Sequence, residues 1–163
     1  YIGMRSAAGA MFIKEIKITW DSLDEEENVG DGTEVIEEAT MKSFGWSNAC
    51  GIYDPFNLGD NVTITVSQGG ASTAPTYYSD GEALRLYQNG ATMKVTANGK
   101  TIKSIEITFA SGQYYMAPNC GEFSEGETIR TWVGEAQEVI FTTTGTTTST
   151  RAYITAIKVT YIN

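Results

Sequence analysis

YYSDGEALRLYQNGATMKVTANGKTIKSIEITF, Tyr77 to Phe109, decides the fold class. In Ala83 to Tyr87, Met93 to Ala97 and Ile102 to Phe109 the apolar residues mostly alternate with polar ones. A strand has a side-chain period of two, so each run buries one face. The runs are separated by Asn89-Gly90 and Asn98-Gly99, pairs that tolerate the positive φ angles of a two-residue hairpin turn. The stretch reads as a three-stranded antiparallel meander, and it fixes a β architecture without naming a reaction.

The same alternation extends in both directions. Met11 to Trp20, Glu34 to Met41, Asn61 to Ser67, Glu127 to Val133, Gln137 to Thr143 and Thr150 to Tyr161 all read as strands. Between them lie long segments rich in Gly, Pro, Asn and Asp: Ser47 to Asp60, Gly69 to Thr76 and Ser111 to Gly126. About ten short strands punctuated by turn residues, with no helix, are the pattern of an all-β fold, a jelly-roll β-sandwich.

One pattern occurs three times. Ile13-Lys-Glu-Ile-Lys-Ile-Thr-Trp20, Ile102-Lys-Ser-Ile-Glu-Ile-Thr-Phe109 and Ile154-Thr-Ala-Ile-Lys-Val-Thr-Tyr161 share Ile-x-x-Ile-x-(Ile/Val)-Thr-aromatic. The copies are unequally spaced, which excludes a fixed-period solenoid. Half-buried strands draw on the same residues, so convergence and common ancestry both account for them.

At 163 residues the chain has room for one domain with a sizeable core. Its 41% hydrophobic and 19% charged residues are those of a chain that folds without a partner. With 11 Lys+Arg against 20 Asp+Glu, the net charge of −9 repels a phosphate backbone and argues against nucleic acid as a ligand. There is no histidine, which excludes Ser-His and Cys-His nucleophile pairs and His-ligated metals. No apolar run is long enough to span a bilayer, and the opening Tyr1-Ile2-Gly3 reads as a mature or excised piece of something longer.

Three regions follow. Residues 1–20 read as a strand added to the domain or as the last strand of a preceding module. Residues 21–33, DSLDEEENVGDGT, read as an acidic loop or linker, with a calcium-binding loop as the alternative, although the spacing fits no EF-hand. Residues 34–163 form the β-sandwich module.

The order Tyr77-Tyr78, Ala83-Leu84-Arg85-Leu86-Tyr87, the strand Ile102 to Phe109, Trp132-Val133-Gly134, Val139-Ile140-Phe141-Thr142 and a closing Ile-Lys-Val-Thr-Tyr strand resembles the β-sandwich modules of surface and secreted proteins of gut Bacteroidetes. The resemblance covers Val35 to Tyr161. It implies a galactose-binding-like jelly roll beside other domains of a larger chain, at the cell surface or outside the cell, in a family mostly without assigned activity.

The side chains able to carry a ligand lie in the loops. Trp46, Tyr53, Tyr77, Tyr78 and Tyr115 offer rings for the apolar C–H face of a sugar, and Asp54, Asn57 and Asp80 offer hydrogen-bonding groups beside them. The alternative is that these rings cap the open ends of the sandwich. Arg85 is either an outward residue on an exposed face or a cation facing a ligand. Cys50 and Cys120, the only cysteines, are either a disulfide or two separate buried thiols. Asp54, Asp60, Asp80, Glu82, Glu122 and Glu125 are the acids available to a carboxylate-based glycoside hydrolase. The reading is a non-catalytic, glycan-binding or adhesive extracellular module that needs no cofactor or metal, with a structural spacer domain or, third, such a hydrolase as the alternatives.

Overall fold

A computed structural model describes residues 32–163. Met11 to Trp20, with its copy of the repeated pattern, and most of the acidic stretch lie outside the described residues.

In chain order the strands are β1 (Glu34–Thr40), β2 (Cys50–Gly51), β3 (Phe56–Asn57), β4 (Val62–Ser67), β5 (Thr76–Tyr78), β6 (Ala83–Leu86) and β7 (Thr92–Ala97). They continue with β8 (Thr101–Tyr114), β9 (Met116–Pro118), β10 (Glu122–Phe123), β11 (Ile129–Ala136), β12 (Glu138–Thr143) and β13 (Ala152–Ile162). The helical pieces among the described residues are two short 3-10 turns, Met41–Phe44 and Ser79–Gly81. Every strand pairing is antiparallel, and the strands form two sheets. The larger runs β10-β11-β8-β13-β6-β5-β2, with β1 also paired to β13; the smaller runs β3-β4-β7-β12-β9. The expected all-β sandwich is present.

The two copies of the repeated pattern within the described residues are β8 and β13, and they pair with each other in the middle of the larger sheet. Phe109 faces Ile154, Ile107 faces Ile157, Ile105 faces Val159 and Ile102 faces Tyr161. All eight side chains are buried. The Ile-x-x-Ile spacing breaks the two-residue period, and the register shows why both isoleucines still reach the core. Between Ile154 and Ala156 one strand advances two residues while its partner advances one; between Thr160 and Tyr161 the reverse occurs. Each copy therefore contains a β-bulge, at Thr155 in β13 and at Lys103 in β8, lying against the Thr-aromatic end of the other copy.

The meander expected from Tyr77 to Phe109 does not form. All three runs are strands, but β6 and β8 belong to the larger sheet and β7 to the smaller, where it lies between β4 and β12. Alternation fixes that a strand buries one face, and that requirement is met equally by either side of a sandwich. Asn89 and Gly90 do adopt positive φ, 69° and 96°. Their backbone serves an arch between sheets: Asn89 N–H donates to the Gly145 carbonyl and Gly90 N–H to Thr143 Oγ1.

Between the layers, Val62, Ile64, Val66, Met93, Val95, Val139 and Phe141 of the smaller sheet meet Leu84, Leu86, Ile105, Ile107, Trp132 and Val159 of the larger. Trp132 satisfies its indole N–H at 2.6 Å on the Cys120 carbonyl.

Candidate functional site

The segment from Phe44 to Asn57 connects the two sheets along one side. β2 is the outermost strand of the larger sheet and β3 the outermost strand of the smaller, so Ile52 to Pro55 bridges from one sheet edge to the other. Gly45, at φ 67°, ends the first 3-10 turn and reverses the chain, bringing Phe44 and Trp46 into a stack at 4.7 Å. Phe56 meets both edge-on at 4.8 and 5.0 Å, and Tyr77 approaches Trp46 at 5.8 Å. These four rings close the side of the sandwich.

Tyr53 behaves differently. It is 76% exposed, yet its ring is not free to wander, because it lies over the backbone of Gly51. A Cβ at position 51 would fall 2.7 Å from Tyr53 Cε2, so only glycine leaves room for the ring there. A depression opens on each side of it. One, of about 220 Å³, is lined by Trp46, Tyr53, Asp54 and Phe56; the other, of about 270 Å³, by Ile52, Tyr53, Gln68 and Pro75. Three of the expected ligand-binding residues, Trp46, Tyr53 and Asp54, thus meet in one place.

The other five stand apart from that centre. Tyr77 is on β5 with its side chain inward and 4% exposed, so it is core and has no face to offer a ligand. A Thr-Tyr-Tyr strand must alternate, and the inward position falls to its middle residue. Tyr78 points outward onto the larger sheet, where the Arg85 guanidinium covers its ring at 3.8 Å. Asn57 Oδ1 accepts from Thr63 Oγ1 at 3.0 Å on the smaller sheet. Asp80 is exposed in the second 3-10 turn. Tyr115 stacks on Tyr114 at 5.0 Å in the link from β8 to β9. Since β9 is the far edge of the smaller sheet, the loop Ser111 to Cys120 does not join the Phe44 to Asp60 loop in a single site.

The cysteine alternatives resolve as two separate thiols: both are free, but they are not buried, Cys50 being half-buried and Cys120 exposed. Cys50 is on β2 at one side of the sandwich, and Cys120 lies in the turn from β9 to β10 at the other. Even across the smaller sheet that is four strand spacings, roughly 19 Å, whereas a disulfide needs Cα atoms within about 7 Å.

Among the described residues, Glu37 and Glu135 are both held below the ordinary glutamate range. Burial works against ionisation of Glu37, but hydrogen bonds from the Asn61 and Val62 amides, the Tyr161 hydroxyl and the Asn61 side chain outweigh it. Glu135 is lowered by its hydrogen bond and ion pair with Lys103. Neither is raised, as the proton donor of a glycosidase has to be. Among the described residues no three Asp, Glu or Cys side chains are grouped to hold a metal ion.

A feature with no signal in loop composition is a depression of about 490 Å³ on the outer face of the larger sheet. Its floor is the cross-strand row Thr40, Ala156 and Thr108, and its wall the row Glu38, Lys158 and Glu106. Small outward side chains in one row make a trough, but the row exists only once β1, β13 and β8 are known to be neighbours.

No protein-family model, curated protein or solved structure matches this chain. No helix among the described residues is long and apolar enough to cross a membrane.

Proposed function

We propose that this domain is a non-catalytic binding module that takes a glycan on the Tyr53 platform. The observation that carries the reading is an exposed ring held against Gly51 that lines two open depressions. A sugar ring stacks on such a surface through its apolar face, and the ring's fixed position removes part of the ordering cost of binding. Asp54 on one side and Gln68 on the other supply hydrogen-bonding groups for the hydroxyls at the sugar's rim. The resemblance to Bacteroidetes surface modules supports an extracellular or cell-surface setting beside other domains of a larger chain, in a galactose-binding-like jelly roll.

The packing of Phe44, Trp46, Phe56 and Tyr77 against one another favours a second reading, a structural spacer whose aromatics serve only its own stability. A glycan array probed with the intact chain, Tyr53→Ala and Asp80→Ala separates the two. The binding reading expects retention by the intact chain and Asp80→Ala and at least a tenfold loss in Tyr53→Ala. An array on which the intact chain binds nothing leaves the spacer.

A further inference from the structure

Two copies of Arg-x-Tyr, Arg85-Leu86-Tyr87 and Arg151-Ala152-Tyr153, fall on neighbouring antiparallel strands. Arg85 is directly opposite Tyr153, and Leu86 opposite Ala152, so Tyr87, which is buried, and Arg151 come next along the two strands. Antiparallel pairing of two identical tripeptides gives a checkerboard in which each arginine has a tyrosine beside it and another across from it. The contacts follow: the Arg85 guanidinium lies 3.8 Å from the Tyr78 ring and 4.5 Å from the Tyr153 ring, and Arg151 lies 4.8 Å from Tyr87. The hydroxyls are drawn into the same patch, Tyr78 to Tyr87 at 3.2 Å and Arg151 Nη1 to Tyr153 at 3.4 Å.

The charges of this patch are uncompensated. Lys42, Lys94 and Lys103 each pair with a glutamate. Among the described residues neither Arg85 nor Arg151 pairs with a carboxylate, in a chain whose acids outnumber its bases 20 to 11. Arg151 at least donates from Nε to Gln88 Oε1 at 2.8 Å. The Arg85 side chain makes no hydrogen bond among the described residues, and its Nε is buried without a partner. The Tyr78 and Tyr153 rings lie against the guanidinium, and its Nη groups, which carry no ion pair, are the donors left for a planar oxyanion.

We propose that the Arg85 and Arg151 guanidiniums, with Tyr78 and Tyr153 beside them on the outer face of the larger sheet, bind the carboxylate of an acidic sugar, a uronic acid within a glycan. The assignment rests on the glycan reading above for the sugar and on the arginine geometry for the anion. A single carboxylate per sugar also suits a chain of net charge −9, which repels densely sulfated polymers.

The test follows the Arg85 Nε–Hε resonance of the full chain, assigned by its disappearance in Arg85→Met, during titration with glucuronate, glucose and inorganic sulfate. Glucuronate is expected to move it saturably, glucose at the same concentration to leave it in place, and Arg85→Lys to weaken glucuronate binding at least tenfold. Equal movement by sulfate alone means an adventitious oxyanion only and overturns the sugar assignment. Silence towards all three, read on the intact chain, overturns the proposal. Neutral glycans retained through Tyr53 while Arg85 stays silent would leave the proposed function standing and remove this inference alone.

Discussion

The Tyr161 hydroxyl donates to Glu37 Oε1 at 3.0 Å, and it holds the carboxylate that ties the two sheets together. Glu37 stands on β1 and Tyr161 on β13, both in the larger sheet. The same carboxylate accepts the backbone N–H of Asn61 at 3.0 Å and of Val62 at 2.9 Å, where β4 of the smaller sheet begins. The carboxylate fills the space above Gly59, where a Cβ would stand 2.6 Å from Glu37 Cδ.

Glu37→Ala is expected to lose about 1.5–3 kcal/mol of stability, the usual value of hydrogen bonds to a charged group, since two amides and a phenol lose their acceptor. Urea unfolding measures it. A loss below about 0.5 kcal/mol would show that water replaces the carboxylate at no cost.

The same group sets the acid limb of stability. Its folded titration lies below the ordinary glutamate value, so the unfolded chain takes up the proton first as pH falls. The stabilisation is therefore fully present above about pH 4.3 and is lost as pH drops through the lowered folded value. Tyr161 acts at the other extreme: burial, then its bond to Glu37, raises its titration. That contribution is present below about pH 10 and lost as pH climbs through the raised value. In Glu37→Gln both limbs should flatten when melting temperature is followed against pH; unchanged limbs would assign the pH response to other groups.

Truncating Ile105 or Ile107, which occupy the centre of the larger sheet with no exposed surface, should cost roughly 2–5 kcal/mol each. Both values falling below about 0.5 kcal/mol would place the core elsewhere.

With the thiols on opposite sides of the sandwich, a thiol reagent should label Cys120, which is exposed, in the native protein and reach Cys50, half-buried on β2, more slowly. Reductant should leave the melting temperature unchanged. A mass two protons lighter without reductant would contradict the strand order itself.

What could be read from the residues was whatever repeats locally. Ile102 to Phe109 and Ile154 to Tyr161 announced buried strands, because alternation and β-branched residues act within one segment. Their mutual pairing and the two bulges could not be seen, since the Ile-x-x-Ile spacing looks like a fault in the alternation until the partner strand is beside it. Asn89-Gly90 marked a chain reversal correctly, but a hairpin and an arch between sheets use the same turn residues. Tyr53 was legible as an aromatic among Gly, Asp and Pro. Tyr77 was misplaced because two adjacent tyrosines cannot both face outward on a strand, and composition does not say which turns in. The Arg-x-Tyr checkerboard was invisible for the same reason as the bulges: β6 and β13 are far apart in sequence and adjacent only in the fold.

Gly51 offers the most selective test of the Tyr53 platform, because it acts on the ring without touching any ligand. Its backbone is not in the left-handed region, so alanine fits the main chain there, and the atoms its Cβ would meet are the far end of one flexible side chain. Gly51→Ala should therefore cost less than about 1 kcal/mol in stability. The ring, however, must leave the strand. Nuclear Overhauser contacts between the Gly51 α-protons and the Tyr53 ring are expected in the native chain, and the corresponding contacts should be absent in the variant. Glycan affinity should fall about as far as in Tyr53→Ala, at least tenfold, with the melting temperature nearly unmoved. A variant that loses the ring contact yet binds as before would show that Tyr53 is a surface residue and that the glycan, if bound, is held elsewhere.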